Sequence, residues 1–146
     1  MPETQPSSPS SSEHPAPLQR IPAQTPWADT VGYCRALRVG DRVLVSGTAP
    51  VTPDGSTYAP GDAYRQMRRC LEIIRDAVTK LGGERARVIR TRIYVTDAQK
   101  WREVGRAHGE FFSHAPPVTT LIEVSALISP DMQVEVEAEA WVPPAN

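Results

Sequence analysis

The sequence predicts an α+β fold of order ββ(β)αβαββ, a sandwich with two helices packed on one face of a mixed sheet. Three observations carry that prediction. Residues 33–47 alternate apolar and polar on both sides of the turn dipeptide Gly40-Asp41. Two segments, one after Asp62 and one after Asp97, carry apolar residues at helical spacing. The stretch from Gln133 to Val142 alternates with period two and without interruption.

Each element follows in order. Residues 1 to about 26 hold nearly half of the 15 prolines and a run of serines. Such a segment has little to bury against its ordering entropy, and it reads as a disordered Pro/Ser-rich tail. The folded domain is then 27–142, with 143–146 as a C-terminal tail. Within it, Val43 and Val45 point to one side of the first hairpin and Arg42, Leu44 and Ser46 to the other. Residues 50–61, rich in proline and glycine, form a loop with at most a short edge strand. Asp62 caps a helix running to about Leu81, whose stripe is Ala63, Met67, Cys70, Leu71, Ile74, Ala77, Val78 and Leu81. Gly82-Gly83 ends it. Arg87 to Val95 is a strand with Ile89, Thr91, Ile93 and Val95 on one face and Val88, Arg90, Arg92 and Tyr94 on the other. A capping box at Thr96–Gln99 opens the second helix, with a stripe of Trp101, Val104, His108, Phe111 and Phe112. Strands at Pro117–Val124 and Gln133–Val142 complete the sheet.

Charge narrows the function. Lys+Arg 16 against Asp+Glu 17 gives a net charge of −1, and Glu3, Glu13 and Arg20 of the tail account for it, leaving the folded part neutral. A neutral domain with 6% aromatic residues has neither the basic surplus nor the stacking platform for nucleic acid. No apolar run reaches membrane-span length, and the N-terminus has no signal-peptide pattern. Cys34 and Cys70 stand far apart and read as reduced, buried thiols of a cytoplasmic protein. His14, His108 and His114 form no ligand cluster, so no metal is expected. The sheet face away from the helices is expected to carry Arg42, Ser46, Arg90, Arg92, Glu123, Glu135, Glu137 and Glu139, interleaved with Leu44, Tyr94, Leu121 and Trp141. Mixed charges among apolar residues suit a subunit interface better than bulk solvent.

The stretches "RVGDRVLVSGTAPVTPDG", "VIRTRIYVTDAQKWREVGRAHGEFF", "PPVTTLIEVSAL" and "VEVEAEA", in that order, resemble the reactive intermediate deaminase family, RidA/YjgF, from about Tyr33 to Val142. The resemblance implies a chorismate-mutase-like fold and a homotrimer with sheets inward, helices outward and a small-molecule cleft at each subunit interface. It also implies hydrolysis of enamine and imine intermediates with release of ammonia and without a cofactor. Carried over residue by residue, it makes Glu135 the catalytic group that positions or activates water. Tyr33 and Ser46 line the cleft, and Leu121 shapes the pocket beside Thr119.

Two positions depart from the family pattern. Thr119 stands where the family has an arginine that grips the substrate carboxylate, and Gly105 where it has an asparagine. Loss of a charged hydrogen bond weakens carboxylate capture by roughly 10- to 150-fold. The chain thus resembles the branch that lacks the substrate-binding arginine. Arg92 replaces a residue that is usually small and uncharged in the family; it either restores the anion grip or neutralises Glu123 or Glu137. The expected function is a deaminase-like hydrolase of altered specificity. The alternative is a trimer that binds a small-molecule ligand without chemistry. An endoribonuclease or translation-inhibitor role ranks last, because charge and aromatic content oppose it.

Overall fold

The computed structural model of the chain describes residues 17–145. Its elements are β1 (Gln19–Pro22), α1 (Ala28–Val31), β2 (Cys34–Val39), β3 (Arg42–Thr48), α2 (Ala63–Gly82), β4 (Arg87–Val95), a 3-10 turn (Ala98–Lys100), α3 (Trp101–Phe112), β5 (Val118–Glu123) and β6 (Val134–Trp141). The six strands form one sheet in the order β1-β2-β3-β6-β4-β5. Only the β4–β5 pair is parallel, so the sheet is mixed, as α3 crossing between those two strands requires. The long helix α2 lies on one face of the sheet and α3 packs beside it.

Helix α2 forms where the apolar stripe lies. Asp62 accepts a hydrogen bond from the Arg65 backbone N–H at 2.9 Å, and all eight stripe residues are buried. Gln66, on the same face, is fully buried as well. Its amide donates to the Asp131 carbonyl at 2.9 Å and accepts from the Gln133 N–H at 2.8 Å, which ties the loop before β6 to the helix. Across the sheet, Val43, Val45, Ile93, Val95, Val134, Val136, Ala138 and Ala140 complete the core.

Five expectations are corrected. Residues 1–16 of the expected tail lie outside the described part, but Gln19–Pro22 is a strand, paired antiparallel with β2. Its Ile21 packs against the core, and the β2 edge takes up its backbone polar groups. The extra strand of the sheet therefore precedes the hairpin, while residues 50–61 hold only an isolated bridge, Val51 to Thr57. In β4, a bulge between Val88 and Arg90 turns Val88 toward the core. In α3, Trp101 is exposed and Ala107 takes the buried position. In β5, Thr119, Leu121 and Glu123 share the helix-side face, because Thr119 pairs with buried Thr91 and Leu121 packs on the core. Val118, Thr120 and Ile122 take the outer face instead.

Candidate functional site

The residues singled out by sequence fall into two groups on the folded chain. The first group gathers around the β2–β3 hairpin and β6. Tyr33 and Ser46 line an open hollow of about 700 Å³, with Cys34 and Gly32 beside them. The Tyr33 hydroxyl lies 2.6 Å from Thr25 Oγ1, and Ser46 donates to the Cys34 carbonyl at 2.8 Å. Glu135 sits on β6 opposite Tyr94. Its carboxylate lies against Gly47, the neighbour of Ser46: a Cβ on that glycine would come within 2.3 Å of Glu135 Oε1. The ladder is irregular there, between Val45 and Thr48, and glycine admits the close approach.

Burial pushes the Glu135 carboxyl above its ordinary range; nearby Arg35 draws it down and Glu137 pushes it further up. A carboxyl moved toward neutrality in a partly covered site is suited to exchanging protons with water. Arg35 is a member of this group that the sequence reading did not single out. Its guanidinium donates to Thr48 Oγ1 at 2.7 Å and more weakly to the Gly47 carbonyl, and it stands 5.7 Å from the Tyr33 ring centroid. A charged residue next to Ala36, the one buried position of β2, was the available signal.

The second group lies at the other end of the sheet. Thr119, on edge strand β5, has its Oγ1 2.9 Å from Thr91 Oγ1, which in turn is 2.8 Å from His108 Nε2. Leu121 lies two residues along the same face. Gly105 is on α3, one turn before His108, and is exposed; a Cβ there would meet only Trp101, at 4.0 Å. Burial lowers the His108 pKa, so its imidazole is neutral at pH 7. Sequence reading took His108 as part of a packing stripe and placed Thr91 in the core without a role.

The two groups do not meet within one chain. Glu135 is on the outer face and Thr119 on the helix face. Ser46 on β3 is three strand spacings from β5, about 14 Å.

Arg92 belongs to neither group. It lies on the outer face, 3.7 Å from both Glu137 and Glu139, while Arg90 is 4.0 Å from Glu139. Its charge is matched locally by Glu137, one of the two partners expected of it. The other, Glu123, is on the opposite face and accepts the Ala98 N–H at 2.9 Å instead. Around these ion pairs the outer face exposes Leu44, Val118, Ile122 and Trp141.

Among the described residues no cluster of His, Cys, Asp and Glu is arranged to hold a metal ion, and no helix is long and apolar enough to cross a membrane. Both cysteines are free; Cys70 is buried with its thiol pKa pushed up by desolvation, whereas Cys34 is only half-buried.

Comparison with known proteins agrees with this architecture. The sequence matches the family described as Endoribonuclease L-PSP over residues 24–142. It is 36% identical over 124 residues to the uncharacterized protein SCO2049 of Streptomyces coelicolor, covering 85% of this chain and 92% of that one. Among solved structures it is similar to Rv2704 of Mycobacterium tuberculosis, a member of the YjgF/YER057c/UK114 family. That match has a TM-score of 0.77 and 40% identity over 86% of this chain and all of the other. It is also similar to Escherichia coli TdcF with bound serine, with a TM-score of 0.66 and 26% identity over 84% of this chain and 93% of TdcF. With its sheet order, its helix layer and a family match that spans nearly the whole folded part, the chain belongs to the Rid/YjgF family.

Proposed function

We propose that this chain is a cofactor-independent, cytoplasmic hydrolase of imine or enamine intermediates that works as a homotrimer. Its small-molecule site lies between subunits. The observation that carries this reading is the division of the candidate residues. We read Glu135, Tyr33 and Ser46 as one wall, Glu135 lying against Gly47 beside Ser46, and Thr119 and Leu121 on the helix face of β5, with Gly105 of α3, as another. Only two copies can bring both walls to one ligand. The outer face supports the association, since exposed Leu44, Val118, Ile122 and Trp141 surround the paired charges of Arg90, Arg92, Glu137 and Glu139.

In this reading Glu135 accepts a proton from water as the oxygen adds to the C=N carbon, and a proton passes to the nitrogen to give a carbinolamine. The C–N bond then breaks with proton transfer to the leaving nitrogen, a C=O bond forms, and ammonia departs. Tyr33 and Ser46 shape the wall on which the water sits. The capture of serine by TdcF, a relative in structure, is in keeping with a small polar ligand. The second reading, a trimer that binds a ligand without turning it over, is favoured by one observation: Thr119 supplies no cation for a carboxylate.

Ammonia release from enzymatically generated imines separates the two. Wild type should accelerate release above the spontaneous rate, and Glu135→Gln, which keeps the shape but cannot accept a proton, should return it to that rate. Release by the folded variant equal to wild type would remove Glu135 from the chemistry, and release by neither would leave the binding reading.

A further inference from the structure

We propose that the Thr119 hydroxyl is a hydrogen-bond donor relayed from His108 through Thr91, and that it selects ligands bearing an uncharged oxygen acceptor, such as a carboxamide, ester or ketone, over those bearing a carboxylate. The inference deepens the functional reading above and rests on it for the location of the cleft.

The geometry lines the three side chains up in one chain of hydrogen bonds. Thr91 is fully buried and stands between two polar atoms, His108 Nε2 at 2.8 Å and Thr119 Oγ1 at 2.9 Å. Thr119 has one further acceptor in reach, the Pro117 carbonyl, at a long 3.5 Å. A carbonyl only accepts, so a Thr119 proton directed at it leaves Thr119 to accept from Thr91. In the proposed relay Thr119 accepts from Thr91, Thr91 accepts from His108, and His108 carries its proton on Nε2; the reverse order needs an Nδ1–H tautomer, which is what the test reads. Every member is satisfied in that order, and the buried Thr91 is left with no orphaned group. The weak link is the last one. A ligand oxygen that reaches Thr119 exchanges a 3.5 Å contact for a normal hydrogen bond.

The same geometry excludes a charged grip. The His108 ring packs against Phe112, with centroids 4.7 Å apart, and its half-burial favours the neutral form. Arg92 lies on the other face, matched to Glu137 and Glu139. In the facing wall Arg35 is committed to Thr48 and Gly47 and stands beside Glu135. A carboxylate entering here would be desolvated against a neutral donor, whereas an amide or ketone loses little on leaving water.

The test uses the full chain with 2-oxobutanamide and 2-oxobutanoate as probes in titration calorimetry, together with nitrogen-15 NMR of His108. The expected results are an Nε2–H tautomer and a Kd for the amide about 3- to 10-fold below that for the carboxylate. His108→Phe should abolish the preference, and His108→Gln, whose amide N–H also donates, should keep part of it. An Nδ1–H tautomer, tighter binding of the carboxylate, a preference that survives His108→Phe, or no binding of either probe would each overturn the proposal. If the amide preference holds and depends on His108 while no imine is turned over, the relay stands and the hydrolase reading fails.

Discussion

In the proposed reading Glu135 carries the chemistry of the first wall, and its titration makes the residue testable apart from turnover. Burial holds its folded pKa above the ordinary value of 4.5. Between those two values the folded chain binds more protons than the unfolded one, so this group's contribution to stability falls as pH rises through the window. Asp54, Glu110 and Asp131, all lowered by hydrogen bonds, act in the opposite sense, so only a difference isolates Glu135. The Tm of Glu135→Gln minus that of wild type should therefore grow from pH 4 toward pH 7. A difference that is flat or shrinks would show that the carboxyl is not desolvated. Alternation placed Glu135 in a row with Glu137 and Glu139, and only the family resemblance singled it out. What separates it is Gly47 pressed against its carboxylate, together with Arg35 nearby.

At the scale of elements, glycines distinguish packed from open positions. Gly82 closes α2 where a Cβ would stand 2.7 Å from Ala86 Cβ and 2.8 Å from Val142 Cγ2, both on rigid neighbours. Gly109 in α3 has nothing within 4 Å. Gly82→Ala should thus cost about 1–3 kcal/mol by overpacking, while Gly109→Ala should gain up to about 1 kcal/mol of helix propensity. Urea denaturation of the two variants checks both signs. Both glycines lie in helical segments of the sequence, and only the packing tells them apart. The same holds for β1: proline-rich composition argued for disorder, yet Ile21 finds the core and the strand finds the free edge of β2.

For the whole molecule, the proposed division into two walls makes assembly a condition of activity. Thr119→Trp should plug the wall on β5, and Glu135→Gln should silence the wall on β6. Each alone should be inactive. Mixed trimers of the two, formed by coexpression, should recover activity in about a third of their sites, those in which two unmodified walls face each other. No recovery from assembled hetero-oligomers would mean that one chain completes its own site, contrary to the positions of these residues in the sheet.

The local pattern of residues was enough to place the two long helices, the Asp62 cap, the strands after Tyr33 and most of the core. It missed β1, and the expected capping box resolves into Asp97 capping a 3-10 turn ahead of an α3 that has no side-chain cap. An eight-residue stripe at helical spacing and an uninterrupted alternation each have one way to bury their apolar side. The family resemblance, not the pattern, pointed to Glu135, Tyr33, Ser46, Thr119, Leu121 and Gly105, and it did not name their neighbours. Strand β5 shows why. Of its two faces Val118–Thr120–Ile122 is the more apolar, so alternation points to it as the covered one and puts Leu121 and Glu123 outside, the reverse of what is found. Parallel pairing with β4 decides it by placing Thr119 beside Thr91. From that single register follow the link to His108, the separation of Thr119 from Arg92, and a site that one chain cannot close. Each of these depends on residues distant in sequence, which only the tertiary fold brings together.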